Sequence, residues 1–232
     1  VIPVLIVPVL DRWNDAAAML ATVPDSGGRV VVIDNDQSGS ELGSPCEYIR
    51  PLINVGFSGA INAAIAQTPE APWWMWASVD LRFAAADLTN IAHLMEDARG
   101  PRVVTGDRAD ERLLRFAYAA INRDAIEAVG LLDEWSFFPI YYEDDDYERR
   151  CRLGGVEWVE YNGQISHQRS ATISAPVRER ANAVTFPENG RRYAAKWGGP
   201  PGSERFSRPW DLPVPLDYTR PDIAGRARRL WK

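Results

Sequence analysis

Apolar runs alternate with amphipathic stretches over the first hundred residues, and this pattern limits the possible folds more than any other feature of the chain. Ile2–Val9, Arg29–Ile33 and Trp73–Val79 read as buried strands. Trp13–Ala21, Ser58–Ala66 and Ala85–Ala98 read as the helices between and after them. Strands separated by helices return to the same end of a sheet and therefore lie parallel. The sequence predicts an α/β fold: a Rossmann-like, mostly parallel central sheet flanked by helices.

In an open sheet of this kind, ligands bind outside the carboxyl ends of the strands. Arg29–Ile33 runs into Asp34-Asn35-Asp36, and Trp73–Val79 runs into Asp80. Asp34 and Asp80 are thus expected to face one crevice although 46 positions separate them.

Beyond residue 100 the pattern loosens. Val103–Val104 and Leu113–Ile121 read as strands, Asp145–Leu153 as a short helix stopped by Gly154-Gly155, Val156–Tyr161 as a strand and Pro176–Trp197 as mostly helix. Six prolines within the 24 residues from Gly198 to Pro221 make that stretch an extended arm. The basic end, Arg226-Ala-Arg-Arg-Leu-Trp-Lys232, reads either as packing on its own domain or a neighbouring subunit, or as touching an anionic membrane or polymer. The expected division is a domain over 1–197, with halves at about 1–100 and 101–197, and an arm over 198–232. A homo-oligomer is compatible with it.

Composition removes several function classes. A net charge of −6 argues against a general nucleic-acid binder, which needs a basic stripe, while leaving room for a local groove. Two distant cysteines, Cys46 and Cys151, and two histidines, His93 and His167, exclude a zinc finger or a multi-histidine metal site. Sparse cysteines fit a reducing, cytoplasmic setting. The run Val1–Leu10 carries two prolines and is shorter than the ~20 residues of a membrane span, and no basic leader precedes it.

Four constellations carry chemistry, each beside a plainer reading. In Asn54-Val-Gly-Phe-Ser-Gly-Ala-Ile-Asn62, Gly56 and Gly59 allow close backbone approach and Ser58 is placed to cap the following helix, so the loop is either a phosphate cradle or an ordinary strand-to-helix turn. Ser78-Val79-Asp80 puts a carboxylate where it either holds a hard divalent cation or caps a turn. Glu143 to Asp146 are four consecutive acids that begin a helix ending in Arg149, Arg150 and Arg152. They either complement the helix dipole or, beside the aromatic run Trp135–Tyr142, supply a carboxylate base. That aromatic run either stacks an acceptor ring or packs beneath the helix. In Ser166-His-Gln-Arg-Ser170, His167 is a structural hydrogen-bonding residue or a ligand, and Arg169 is a phosphate contact or an exposed side chain. His93 reads as structural.

Taken in order, these segments resemble the family-two glycosyltransferases of GT-A fold, in particular rhamnosyl- and galactosyl-transferase-like bacterial and phage members. The resemblance spans roughly Val1 to Trp210. It rests on Pro3–Trp13 with its Asp11-Arg12 pair, Val32–Ser38 as a "DN-x-S" turn, Asn54–Asn62 as an "N-x-G-F-x-x-x-x-N" loop, Val129–Glu134 leading to Glu143–Asp146 and Arg150 as a "GxFDE…EDxDxxxR" region, and His167 with Ser170. Tyr193-Ala-Ala-Lys-Trp-Gly199 resembles a common tail.

The resemblance implies a nucleoside-diphosphate-sugar donor, on UDP or dTDP, and a glycan, protein or small-molecule acceptor. It assigns donor contacts to Asp34, Asn35, Asn54, Gly56, Phe57, Asn62 and Arg12, with Arg169 a further diphosphate candidate. It assigns Mn²⁺ or Mg²⁺ to Asp80 and His167, and the general base of an inverting transfer to Asp144. Ser78 departs from the family's metal motif, which has Asp at that position. Two other functions compete: a nucleotidyltransferase, for which no glycine-rich activating loop is visible near the N-terminus, and a catalytically degenerate sugar-nucleotide-binding module.

Overall fold

The computed structural model describes residues 1–24, 28–43, 45–107, 115–167 and 176–213, with only the backbone of 176–179. Strands β1 (Val4–Val9), β2 (Arg29–Asp34), β3 (Glu47–Ile49), β4 (Trp73–Ala77), β6 (Arg102–Thr105), β7 (Tyr118–Asn122) and β8 (Glu157–Glu160) form one sheet in the order β3-β2-β1-β4-β7-β6-β8. β7 alone runs against its neighbours β4 and β6. A two-stranded ladder, β5 (Leu81–Arg82) with β9 (Ser166–His167), stands apart. The helices are α1 (Trp13–Leu20), α2 (Gly56–Gln67), α3 (Ala85–Glu96), α4 (Arg123–Val129), α5 (Glu143–Gly154) and α6 (Pro176–Trp197).

The period-two pattern of the strands divides the core into two layers. Val4 and Ile6 of β1, Val31 and Ile33 of β2, and Trp74 and Trp76 of β4 face α2, α4 and α5. Leu5, Val7 and Val9, then Val32, then Trp73, Met75 and Ala77 face α1 and α3. Every strand in the middle of the sheet is buried on both faces, which explains the near-continuous apolar runs.

The order of the strands also locates the crevice. From β1 the chain moves outward to β2 and β3, then returns to place β4 on the other side of β1. This reversal opens a gap beyond the carboxyl ends of β1 and β4.

Several elements depart from expectation. α2 begins at Gly56, so Ser58 lies inside the helix and its buried hydroxyl has no hydrogen-bond partner among the described residues. The turn is made instead by Gly56, at φ +75°, whose N–H is accepted by the Asn54 carboxamide. α5 starts two residues early, at Glu143, and ends as expected on left-handed Gly155. Strand β7 covers Tyr118–Asn122 in place of Leu113–Ile121, and residues 108–114 lie outside the described ones. β3, β9 and α4 have too few residues to show a period. The basic tail, Arg169 and Ser170 also lie outside the described residues.

Candidate active site

A cavity of about 530 Å³ opens at the topological switch. Pro8, Val9 and Leu10 line it from the end of β1, Asn35 from beyond β2, and Ser78 to Asp80 from beyond β4. Seven of the ten residues singled out in the sequence line it together: Asn35, Asn54, Gly56, Phe57, Asp80, Asp144 and His167.

The other three do not. Asp34 is fully buried at the end of β2, where its carboxylate accepts the N–H groups of Ser38 (3.2 Å) and Gly39 (2.9 Å) and lies 3.8 Å from Arg50. Burial and a shared hydrogen bond with Asp36 raise its pKa. The expectation that Asp34 and Asp80 face one crevice is therefore corrected: the β2 end reaches the cavity through Asn35, because the 38–39 turn wraps the Asp34 carboxylate. Asn62 is buried inside α2, donating to the Leu132 carbonyl (2.9 Å) and to Glu134 (3.2 Å) and accepting the Leu132 N–H. Arg12 is ion-paired with Asp15 outside the cavity lining. His93 sits on the exposed side of α3, 4.0 Å from Glu96.

The 54–57 loop is fixed from beneath by Asn35. Its side-chain N–H donates to the Gly56 carbonyl (3.2 Å) and its carbonyl oxygen accepts the Val55 N–H (3.3 Å). The loop docks on the segment that leads to α5, since the Phe57 N–H donates to the Pro139 carbonyl (2.8 Å). A Cβ on Gly56 would stand 2.9 Å from that carbonyl oxygen and 3.0 Å from the Phe138 ring. Glycine is required here by conformation and by space together.

Asp80 and His167 meet because β5 pairs with β9 and places Leu81 opposite His167. Asp80 Oδ1 lies 3.4 Å from His167 Nε2, and both side chains are nearly buried. Arg82 braces this segment by donating to the Val79 and Leu81 carbonyls, with Asp15 3.7 Å from its guanidinium. One carboxylate oxygen and one imidazole nitrogen thus meet at the cavity wall, donor types that suit a divalent cation. Among the described residues no cluster of three or more His, Cys, Asp or Glu is arranged to hold a metal.

The acidic start of α5 forms the next wall. Glu143 and Asp144 both line the cavity. Burial, then the neighbouring Asp144 charge, pushes the Glu143 carboxyl well above the ordinary range, and its Oε2 has no hydrogen-bond partner among the described residues. Asp144 is also raised, first by its packed surroundings and then by Asp145, while Arg115 opposes the rise. Asp146 faces the opposite way. It is fully buried, accepting from Arg150 Nε (2.9 Å) and Trp197 Nε1 (2.9 Å), with Lys196 Nζ at 2.5 Å. Lys196 also donates to Asp133 (2.8 Å), tying α5 and α6 to the loop after α4.

Arg115 and Phe116, and Ala181 and Asn182 of α6, also line the cavity and were not singled out in the sequence. None belongs to a local motif. They reach the cavity only through long-range pairing and the return of α6 over the site.

No family model and no curated protein matches the sequence. Solved structures do match in fold. Glucosyl-3-phosphoglycerate synthase from Mycobacterium tuberculosis, solved with Mn²⁺, UDP and phosphoglyceric acid, aligns at TM-score 0.59 and 12% identity over 86% of this chain and 79% of its own. S. aureus TarS 1-349 aligns at TM-score 0.54 and 12% identity over 83% and 71%. Mannosyltransferase PcManGT from Pyrobaculum calidifontis, solved with GDP-Man and Mn²⁺, aligns at TM-score 0.50 and 16% identity. That alignment covers 68% of this chain, which spans about half (54%) of the mannosyltransferase. The chain is an α/β protein with a mixed, mostly parallel seven-stranded sheet flanked by helices, and this architecture matches the GT-A glycosyltransferase structures.

Proposed function

We propose that the protein transfers a sugar from a nucleoside-diphosphate-sugar to an acceptor hydroxyl with inversion at the anomeric carbon. The observation that carries this reading is the convergence, in one cavity at the switch point, of the 54–57 loop, the Asp80–His167 pair and the carboxylate of Asp144. These are the parts such a transfer needs: a cradle for the diphosphate, charge stabilisation for the leaving group, and a base for the acceptor. The glycosyltransferase fold supports it.

In this reading the donor diphosphate lies beside the Asn54–Phe57 loop, where the dipole at the start of α2 favours negative charge. Asn35 holds that loop in place. Asp80 and His167 would hold Mn²⁺ or Mg²⁺, which when bound would supply Lewis-acid stabilisation of the charge on the leaving diphosphate. The acceptor oxygen attacks the anomeric carbon from the face opposite the diphosphate. The bond to the phosphate oxygen breaks, its electron pair leaves with the nucleoside diphosphate, and the acceptor proton passes to Asp144. A positioned base contributes about 10²–10⁴-fold to such a step. The donor is a UDP- or dTDP-sugar, and the acceptor is a hydroxyl on a glycan, protein or small molecule. Among the described residues no helix is long and apolar enough to cross a membrane.

Asp144→Asn is expected to lower turnover by about 10²–10⁴-fold while leaving nucleotide binding intact. Near-wild-type turnover in that variant would remove the base assignment.

A further inference from the structure

Arg115 sits immediately before β7, with its guanidinium inside the cavity wall. Its backbone is fixed on several sides. The Phe116 N–H donates to Thr105 Oγ1 (3.0 Å), the Phe116 carbonyl accepts Trp76 Nε1 (3.2 Å), and the Phe116 ring stacks on Trp158. The Arg115 side chain is only 8% exposed. It faces three carboxylates of α5: NH1 lies 3.8 Å from Asp144 and 3.1 Å from Asp145, and NH2 is bonded to Glu148. Its Nε is buried without a hydrogen-bond partner among the described residues.

This arrangement is asymmetric. Asp145 and Glu148 make direct hydrogen bonds and anchor the guanidinium. Asp144 stands slightly farther off and keeps 28% of its side chain exposed towards the cavity. The cation therefore acts on Asp144 through charge without occupying it. A base must be ionised before the reaction and must remain free to take a proton, and this geometry meets both conditions.

Resting on the proposed transfer, we infer that Arg115 is a positioning residue for that reaction: its anchored charge keeps Asp144 ionised and available to the acceptor. The other charged or titratable groups around Asp144 are Glu143, Asp145 and Glu148 of α5 and the Tyr142 hydroxyl, with the Asp80–His167 pair elsewhere on the cavity wall. Burial and the neighbouring acids disfavour the Asp144 carboxylate, and among these groups Arg115 is the one that opposes them. Its own charge is secure, since Asp144, Glu148 and Asp145 outweigh the burial that works against it.

The test is a direct titration that needs neither donor nor acceptor. Protein labelled with ¹³Cγ-aspartate is titrated by NMR as wild type, Arg115→Met and Arg115→Lys, with the Asp144 signal identified by its loss in Asp144→Asn. Thermal melts and circular dichroism check that each variant is folded. The inference predicts that Asp144 in Arg115→Met titrates at least ~1 pH unit higher than in wild type, because an opposite charge this close lowers a carboxyl by about 1–3 units. Arg115→Lys returns the Asp144 titration most of the way to its wild-type position. An unshifted Asp144 titration in a folded Arg115→Met overturns the inference. Wild-type-like turnover in Asp144→Asn would instead overturn the transfer reading, so the two failures are separate.

Discussion

At the scale of single residues, the site is built from charges that are each held by something specific. Lys196 is the clearest structural case. It is completely buried between Asp133 and Asp146, and removing it leaves the buried Asp133 carboxylate without a cation and Asp146 with Arg150 alone. Lys196→Met is expected to destabilise the fold by about 3–5 kcal/mol, measured by urea unfolding. Burial works against the Asp133 charge, but Lys196 and Ser136 outweigh it and hold the carboxyl at about 2. An unfolded aspartate titrates near ~3.9. The contribution of Asp133 is thus fully present above about pH 4 and is lost as the pH falls through about 2. Asp133→Asn should flatten the stability curve in that window, and an unchanged acid slope would show that the pair is not held as described. The charges of Asp133, Asp146 and Lys196 were visible in the sequence, but nothing local paired residues 63 positions apart.

At the scale of elements, the site depends on loops that grip each other across the two halves of the chain. The 54–57 loop is pinned below by Asn35 and above by Pro139, so this loop and the segment leading to α5 share one support. Gly56→Ala places a methyl 2.9 Å from the Pro139 carbonyl and forces an L-residue to φ +75°. Its expected cost is about 1–3 kcal/mol of stability together with weakened nucleotide binding, read by chemical denaturation and calorimetry. A variant with wild-type values in both would show that the two loops are not coupled. The need for glycine at 56 was legible in the sequence. Its physical reason was not, because Phe138 and Pro139 lie more than eighty positions away. Ser58 shows the converse: a good capping residue type is overridden when the turn closes two residues earlier through Asn54 and Gly56. Strongly periodic segments such as Arg29–Asp34 and Ala85–Glu96 were readable, whereas β3 and β9, at three and two residues, are defined by their partners alone.

At the scale of the whole molecule, strand order does the positioning. The reversal between β1 and β4 opens the cavity, the β5–β9 ladder carries His167 to Asp80, and α6 returns over the site with Ala181 and Asn182. Strand ends in the first half were enough to anticipate where the site lies. Residues after 100 reach it through an antiparallel strand and long-range ladders, which leave no periodic trace, and Arg115 was missed for that reason. A divalent cation at Asp80 and His167 should make nucleotide binding depend on metal, so chelator is expected to remove the stabilisation that a diphosphate confers. The most direct measurement is a thermal-shift titration of UDP, dTDP and GDP, each with and without Mn²⁺, on wild type and Asp80→Asn. The account predicts that one diphosphate raises the melting temperature of wild type with Mn²⁺, by about 2.7 kcal/mol of added stability at a hundredfold excess over Kd, and that Asp80→Asn loses this response. A flat response of wild type to every diphosphate, with and without the metal, would contradict it.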